Sequence, residues 1–282
     1  MKQRKSRVFF RIVIGWITYT LLRYVQWALK AATFCKKPGT TFPDGFDYCI
    51  SRHQSLLFRN LKNTEKWMDE NKVHNLKNAI ARLDGIVLEP GKTLSFWRRI
   101  GAPIAWRGFK KGAVIVNGRV QIKTGGGLCQ LSNLLYWITL HTPLTVTERF
   151  RHSYDVFPDR NRTQPFGSGA TCLYNYRDLQ IRNEYIEPFQ LRLSLDDTYL
   201  YGEWRARQPA TVRYEVYEHK HWITQEGSLY VRNNILMRRC FRGNTLLDNE
   251  YITENHALMM YSPLLAAPKS FAENKQPEHH AS

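Results

Sequence analysis

The sequence predicts an α+β fold in which a mostly antiparallel sheet packs on a central helix that starts at a glycine-rich cysteine box. The helix is indicated by four aliphatic residues with the i, i+3, i+4, i+7 spacing of one helix face: Leu131, Leu134, Leu135 and Ile138. A tight hairpin over 113–122 is indicated by Asn117-Gly118, which lies between two β-branched runs. Strand-like runs dominate the chain after residue 179, so a β-rich C-terminal part is expected.

The chain is divided by shifts in composition. Residues 1–37 are expected to form an N-terminal helical head, and 38–64 a linker and lead-in that begins with a turn-rich run. The principal domain is expected over 65–205. A β-rich extension over 206–265 and a disordered polar tail over 266–282 complete the prediction.

Periodicity places the elements inside these segments. Helical spacing predicts helices over 66–83 and about 128–141. A strand, a Pro-Gly turn and a second strand are expected over 86–97, and a strand running into a loop over 145–158. Six further runs are predicted as strands: 179–183, 189–197, 198–204, 211–225, 229–242 and 249–255.

The head is basic and apolar. It carries nine Lys and Arg residues before the first acidic residue, Asp44, in a chain whose formal net charge is +17. Its uninterrupted apolar run, 12–22, is shorter than the roughly 20 residues that cross a bilayer. Three interpretations stay open: a helix on an anionic membrane surface, an uncleaved anchor, or an amphipathic helix docked on the protein's own core. Membrane association is favoured, facing either the wall or the cytoplasm.

The cysteine and histidine patterns exclude several kinds of site. Five scattered cysteines without a CxxC pair predict mostly buried, reduced thiols rather than a disulfide framework. Nine scattered histidines lack the spacing of a zinc site, so no metal or cofactor is predicted. No nucleic-acid fingerprint accompanies the basic charge, so nucleic acid is not expected as a partner.

The segment GGGLCQ (125–130) is the best candidate for reactive chemistry. It places Cys129 in the first turn of a helix, where free N–H groups and the helix dipole favour the thiolate. His152, on the strand that follows the helix, is the nearest candidate base. The alternative is that the glycines serve close packing or cradle an anion without catalysis.

Three segments in this order resemble the VanW domain: PGKTLSFWRRIG (90–101), GGGLCQLSNLLYW (125–137) and TERFRHSYDVFP (147–158). The resemblance covers about residues 65–200, and the glycine-cysteine box is highly specific. It implies a link to glycopeptide (vancomycin) resistance and the bacterial cell wall. It also implies cysteine L,D-transpeptidase activity as a candidate, because some multidomain relatives are regarded as enzymes that cross-link peptidoglycan stems through a thioester.

The resemblance assigns candidate roles to individual residues. Cys129 would be the nucleophile and His152 the base. Arg149 would hold a substrate carboxylate. The other assigned residues are the oxyanion and loop residues Gly125, Gly126, Gly127 and Gln130, and the substrate-side residues Glu148, Ser132 and Trp97.

One departure from the family pattern concerns the group that orients the histidine. The family's G-x-DAT box is GSGAT (167–171) here, with Gly169 where the acid usually stands. Asp155 or Glu148 would have to substitute, or Cys129 and His152 would act as a dyad.

Three functions therefore remain open. The first is a cysteine acyltransferase acting on peptidoglycan stem peptides. The second is a non-catalytic module that binds wall precursor or glycopeptide through four aromatic residues: Trp97, Trp106, Tyr136 and Trp137. The third is an accessory or scaffold protein that contacts the membrane through its basic head.

Overall fold

A computed structural model describes residues 2–39, 43–58, 65–156 and 164–262, so the predicted tail 266–282 lies outside the described residues. The described chain is an α+β fold with mostly antiparallel sheets, as predicted. Its α-helices are α1 (Lys2–Leu29), α2 (Lys66–Ile80), α3 (Phe96–Ile100) and α4 (Leu128–Leu140).

The described strands are β1 (Tyr48–Leu56), β2 (Val87–Leu88), β3 (Thr93–Ser95), β4 (Lys111–Val116), β5 (Arg119–Thr124), β6 (Thr145–Glu148), β7 (Tyr154–Asp155), β8 (Gln180–Arg182), β9 (Phe189–Leu195), β10 (Tyr199–Ala206), β11 (Arg213–Glu226), β12 (Leu229–Arg242) and β13 (Thr245–Met259). They form sheets in the orders β1-β10-β9-β2, β11-β12-β13-β7 and β3-β8-β6, together with the β4-β5 hairpin. The pairing of β7 with β13 is parallel.

Helix α4 is the central element. Its four predicted core residues are all buried: Leu131, Leu134, Leu135 and Ile138. The helix contacts β1, β10, β6 and α2. Trp204 on β10 is fully buried, and its indole N–H donates to Thr139 Oγ1 on α4 at 3.0 Å. The sequence pattern therefore predicted both the position of this helix and the face that it buries.

The hairpin prediction is confirmed in detail. Strands β4 and β5 pair in register from Lys111↔Thr124 to Val116↔Arg119. The two turn residues, Asn117 and Gly118, have φ of 51° and 73°. A two-residue turn with both residues in the left-handed region matches the twist of the flanking strands, which explains the Asn-Gly pair.

The C-terminal strands form, but they do not all pair with their neighbours in sequence. Strands β9 and β10 are joined by the expected turn, where Asp196 Oδ1 accepts the backbone N–H groups of Thr198 and Tyr199, each at 2.7 Å. Strand β8 instead pairs with β3 and β6. Strands β11, β12 and β13 form the long antiparallel sheet expected from their alternation.

Two N-terminal segments are tied to the body. The predicted lead-in 38–64 contains β1, which pairs with β10 along its whole length. Helix α1 is docked through Arg23, whose guanidinium donates to both Glu148 carboxylate oxygens at 2.7 and 2.6 Å. Among the described residues, no helix combines the length and the apolar character needed to span a membrane.

Candidate functional site

The glycine box is held by close backbone and side-chain contacts. A Cβ at position 126 would lie 2.3 Å from the Gly112 carbonyl carbon, so two backbones touch there. Gly127 is the N-cap of α4 with φ of 92°, a conformation that favours glycine, and a Cβ there would lie 2.2 Å from Lys72 Cγ. The amide of Asn75 donates to the Gly126 carbonyl at 2.9 Å. These contacts leave no space for a larger side chain at positions 126 and 127.

Cys129 lies in the first turn of α4 and is half-buried. Burial raises the pKa of its thiol, and the backbone N–H of Cys172, which faces the thiol, offsets part of that rise. This direction is opposite to the thiolate that the helix N-terminus was expected to favour. Desolvation of the anion is the larger of the two causes, so the site favours the protonated thiol.

His152 is held at both ring nitrogens by described residues. Its Nε2 lies 3.1 Å from Asn133 Oδ1, and its Nδ1 lies 2.9 Å from Thr171 Oγ1. Asn133 Oδ1 also accepts the backbone N–H of Ala170 at 2.8 Å. Because this amide oxygen only accepts, the proton of neutral His152 lies on Nε2, and Nδ1 is the basic nitrogen.

Cys129 and His152 are connected through intermediate residues on two segments. On α4, Cys129 and Asn133 are four residues apart and share a helix face, and Asn133 binds His152. On the returning segment 168–172, Thr171 contacts His152 while its neighbour Cys172 faces the Cys129 thiol. The arrangement has the residue types of a cysteine, histidine and asparagine site.

Asn133 is the site residue that sequence reasoning missed. It contacts His152 at the place where a side chain at position 169 would lie. A Cβ at position 169 would lie 2.6 Å from Asn133 Oδ1 and 2.9 Å from His152 Nε2. The space of a side chain at 169 is thus filled by the Asn133–His152 hydrogen bond. The signal in the sequence was the i, i+4 spacing of Cys129 and Asn133.

The acids considered as substitutes at the histidine lie elsewhere. Asp155 is buried and accepts from Arg232 at 3.3 Å and from the Tyr261 hydroxyl at 2.7 Å. Glu148 binds Arg23 and accepts the backbone N–H of Asp178 at 3.1 Å. Both carboxylates are therefore engaged by other groups of the described structure.

Arg149 braces the segment beside the histidine. Its guanidinium donates to the carbonyls of Gly169 and Gly167 at 2.9 and 2.6 Å, and to Asn255 Oδ1 on β13 at 2.9 Å. Burial lowers the pKa of this guanidinium. Most of its N–H groups are therefore engaged within the protein, which gives Arg149 a structural role at this segment.

Two more arginines lie beside Arg149. A cavity of about 340 Å³ is lined by Arg149, Phe150, Arg151, Ser153, Arg177, Thr253 and Glu254. Three of these residues, Arg151, Ser153 and Phe150, are the immediate chain neighbours of His152 or one residue further on. The cavity is therefore a basic concavity next to the candidate base.

The remaining predicted site residues hold the framework together. The side-chain amide of Gln130 donates to Ser55 Oγ and to the Leu56 carbonyl, at 2.9 and 2.8 Å. The Gln130 amide N–H groups therefore bind the C-terminal end of β1. The Ser132 hydroxyl donates to the Ala170 carbonyl at 2.8 Å, which ties α4 to segment 168–172.

The aromatic residues expected to form a binding surface are dispersed. Trp97 is 3% exposed and its indole N–H donates to the Arg177 carbonyl at 2.9 Å. Tyr136 is buried as well, whereas Trp106 is 83% exposed and Trp137 stacks edge-on with His141. Within the described part of the chain, no three His, Cys, Asp or Glu side chains are grouped closely enough to hold a metal ion.

Comparison with known proteins gives two relatives. Residues 71–205 match the family described as "VanW like protein". The chain is 33% identical to the Vancomycin B-type resistance protein VanW of Enterococcus faecalis over 184 residues, which are 65% of this chain and 67% of that protein. It is 27% identical to the uncharacterized protein YoaR of Bacillus subtilis over 124 residues, 44% of this chain and 39% of that protein. No solved structure matches the chain significantly.

Proposed function

Because this chain belongs to the VanW family, which is linked to vancomycin resistance, we propose that it is a cysteine acyltransferase of L,D-transpeptidase type acting on peptidoglycan stem peptides. Cys129 is the nucleophile, His152 is the base, and Asn133 is a positioning residue. Glycopeptide resistance is the biological setting of this activity.

One observation carries the proposal. His152 Nε2 is held 3.1 Å from Asn133 Oδ1, one helical turn from Cys129, while Thr171 and Cys172 contact His152 and Cys129 from the other side. With Nε2–H fixed on Asn133, the basic nitrogen is Nδ1, which lies 2.9 Å from the Thr171 hydroxyl; in the proposed reaction the Cys129 thiol takes the place of that hydroxyl at Nδ1. Packing alone does not require a histidine with this defined tautomer.

The proposed cycle starts from the protonated thiol, the form that burial of Cys129 favours. Because the resting thiol is protonated, His152 takes the proton as Sγ attacks the carbonyl carbon of the donor stem peptide. The C–N bond of that carbonyl then breaks, and the leaving amine receives the proton from His152. The thioester is next attacked by the amine of an acceptor stem, which restores the Cys129 thiol. Water in place of that amine gives hydrolysis.

The basic cavity supports an acidic substrate. Arg151, the chain neighbour of His152, and Arg177 both line it, whereas most N–H groups of Arg149 are engaged within the protein. Stem peptides carry free carboxylates, and guanidinium groups bind carboxylates in a bidentate manner. Arg151 and Arg177 therefore replace Arg149 as the residues proposed to bind the donor.

A non-catalytic module that binds wall precursor is the second candidate. It is favoured by the raised pKa of Cys129 and by the close packing that explains the glycine box. In that case, the 340 Å³ cavity binds the precursor and Cys129 only packs.

Turnover of synthetic stem peptides by the purified protein distinguishes the acyltransferase from the non-catalytic binding module. Cross-linked and hydrolysed products are followed by mass spectrometry in the parent and in Cys129→Ala, His152→Ala and Cys49→Ala. We expect Cys129→Ala to abolish turnover and His152→Ala to lower it by about 10²- to 10⁴-fold. Cys49→Ala, at an exposed thiol on β1, is the matched control and keeps parental turnover. Parental turnover in Cys129→Ala, or precursor binding without turnover in the parent, would overturn the acyltransferase assignment.

A further inference from the structure

Helix α1 has an inner face that is fixed to the body. Arg23 and Trp27 are buried there, and Arg23 forms its two short hydrogen bonds with Glu148 on β6. The Tyr24 hydroxyl lies 2.8 Å from that of Tyr174, and the Tyr19 ring meets Tyr176 edge-on. One side of the helix is therefore docked on the protein's own body, as one of the three interpretations of the head expected.

The opposite side of α1 is apolar and uncovered within the described structure. Six large aliphatic residues are 45–83% exposed there: Ile14, Ile17, Leu21, Leu22, Val25 and Leu29. At about 100° per residue they fall within an arc of about 140° centred on the side away from Arg23. A contiguous exposed apolar surface of this kind marks an interaction site. We call these six residues the outer stripe.

The charge of the same segment indicates what the outer stripe contacts. Nine Lys and Arg residues precede the first acid, Asp44. Three of these residues, Arg4, Arg7 and Arg11, precede the outer stripe in the sequence at spacings of three and four residues. An exposed aliphatic face on a segment rich in Lys and Arg is the combination that binds the surface of a membrane containing anionic lipids. A protein partner would need only a local acidic patch, whereas a lipid surface accommodates charge spread over the whole segment.

We propose that α1 lies on a membrane surface rich in anionic lipids, with the outer stripe in the boundary between headgroups and acyl chains. The basic charge of the head attracts lipid phosphates, and the inner face stays on the body through Arg23 and Glu148. Because Glu148 directly precedes Arg149, which braces the segment beside His152, the bound helix also fixes the candidate site relative to the membrane.

Vesicle sedimentation with the full chain tests this proposal. Phosphatidylcholine vesicles with and without phosphatidylglycerol are compared at low and high salt. We expect binding to the phosphatidylglycerol vesicles, weaker binding at high salt, and little binding to phosphatidylcholine alone. Leu21 and Leu22 are 60% and 53% exposed in the protein and would be buried in the lipid when it binds. The variant Leu21→Glu/Leu22→Glu should therefore lower the partition coefficient at least about tenfold, because charges replace two leucines that insert into the membrane.

A matched control separates the outer stripe from general apolar exposure. Leu246→Glu/Leu247→Glu makes the same change at an adjacent leucine pair, 51% and 47% exposed on β13. This control should bind vesicles like the parent, and both variants should keep the parental melting temperature, because all four side chains are exposed. Equal loss in both variants, parental binding by Leu21→Glu/Leu22→Glu, or equal binding to neutral vesicles would overturn the proposal.

Light scattering tests whether a second copy of the chain, and not a membrane, covers the outer stripe. A parental dimer that Leu21→Glu/Leu22→Glu converts to monomer would overturn the lipid assignment. The test is independent of the proposed chemistry, because Cys129→Ala should bind vesicles like the parent whether or not it turns over stem peptides.

Discussion

Replacing Asn133 by alanine removes the acceptor that links the helix, the histidine and the returning segment. Its Oδ1 accepts from His152 Nε2 and from the N–H of fully buried Ala170. Leaving a buried N–H without an acceptor costs about 1–3 kcal/mol. At about 2–4 °C per kcal/mol for a chain of this size, the melting temperature should fall by roughly 2–12 °C.

The effect of Asn133→Ala on turnover should exceed this loss of stability. With its ring no longer held, His152 is misplaced relative to Cys129, and we expect kcat to fall by about hundredfold with little change in KM. Asn133→Asp is the matched variant, since it keeps an acceptor oxygen at the same place. It should keep most of the stability, and its added negative charge should raise the pKa of His152 and move the base-dependent limb of the pH–rate profile to higher pH.

The outcomes of this pair are distinguishable. Parental kcat in Asn133→Ala, measured below its melting transition, would refute the positioning role. An unchanged pH–rate profile in Asn133→Asp would show that the histidine does not take part in the rate-limiting proton transfer.

Three further predictions follow from backbone contact and burial. Gly126→Ala should destabilise the protein by about 1–3 kcal/mol or more in urea unfolding, because its Cβ would meet the Gly112 backbone at 2.3 Å. Gly15→Ala is the control: a Cβ there has nothing within 4 Å, so the change should be neutral or stabilising. Equal effects of the two substitutions would refute the packing argument. Burial raises the pKa of Asp178 to about 6, above its ordinary 3.8, so the folded state binds this proton more tightly than the unfolded state does. The stability contributed by the protonated carboxyl is therefore fully present below about pH 4 and is lost as pH rises through 6. Relative to Asp178→Asn, the parent should therefore lose up to about 3 kcal/mol over that window, and a constant difference would contradict the raised pKa. Because burial raises the pKa of Cys129, the alkylation rate of this thiol, measured against pH, should have its midpoint above the ~8.5 of free cysteine. A midpoint at lower pH would contradict the protonated resting state.

Local patterns predicted the elements that local chemistry determines. The spacing of aliphatic residues predicted α4, and Asn117-Gly118 predicted the β4-β5 hairpin, because both depend on residues close in sequence. Strand β1 was placed in a lead-in, since its partner β10 lies about 150 residues further along the chain. The pairing of β8 with β3 and β6 was missed for the same reason.

The candidate site was predicted in outline and not in its supporting contacts. Cys129 and His152 were identified from residue type and position. The contacts that Arg149, Gln130 and Glu148 make depend on segments that meet only in the folded chain. The direction of the thiol pKa shift differed from expectation because burial is a tertiary property, whereas the helix dipole can be inferred from sequence.

The most direct test of the central claim is acid-quenched intact-mass analysis of the protein mixed with a donor stem peptide. A thioester should appear as a mass increase equal to the donor acyl group, and peptide mapping should place it on Cys129. It should be absent in Cys129→Ala, present with parental yield in Cys49→Ala, and slower to form in Asn133→Ala. Disappearance of the adduct on adding an acceptor amine would complete the predicted cycle. Product formation without any adduct on Cys129, or an adduct of equal yield on another cysteine, would contradict it.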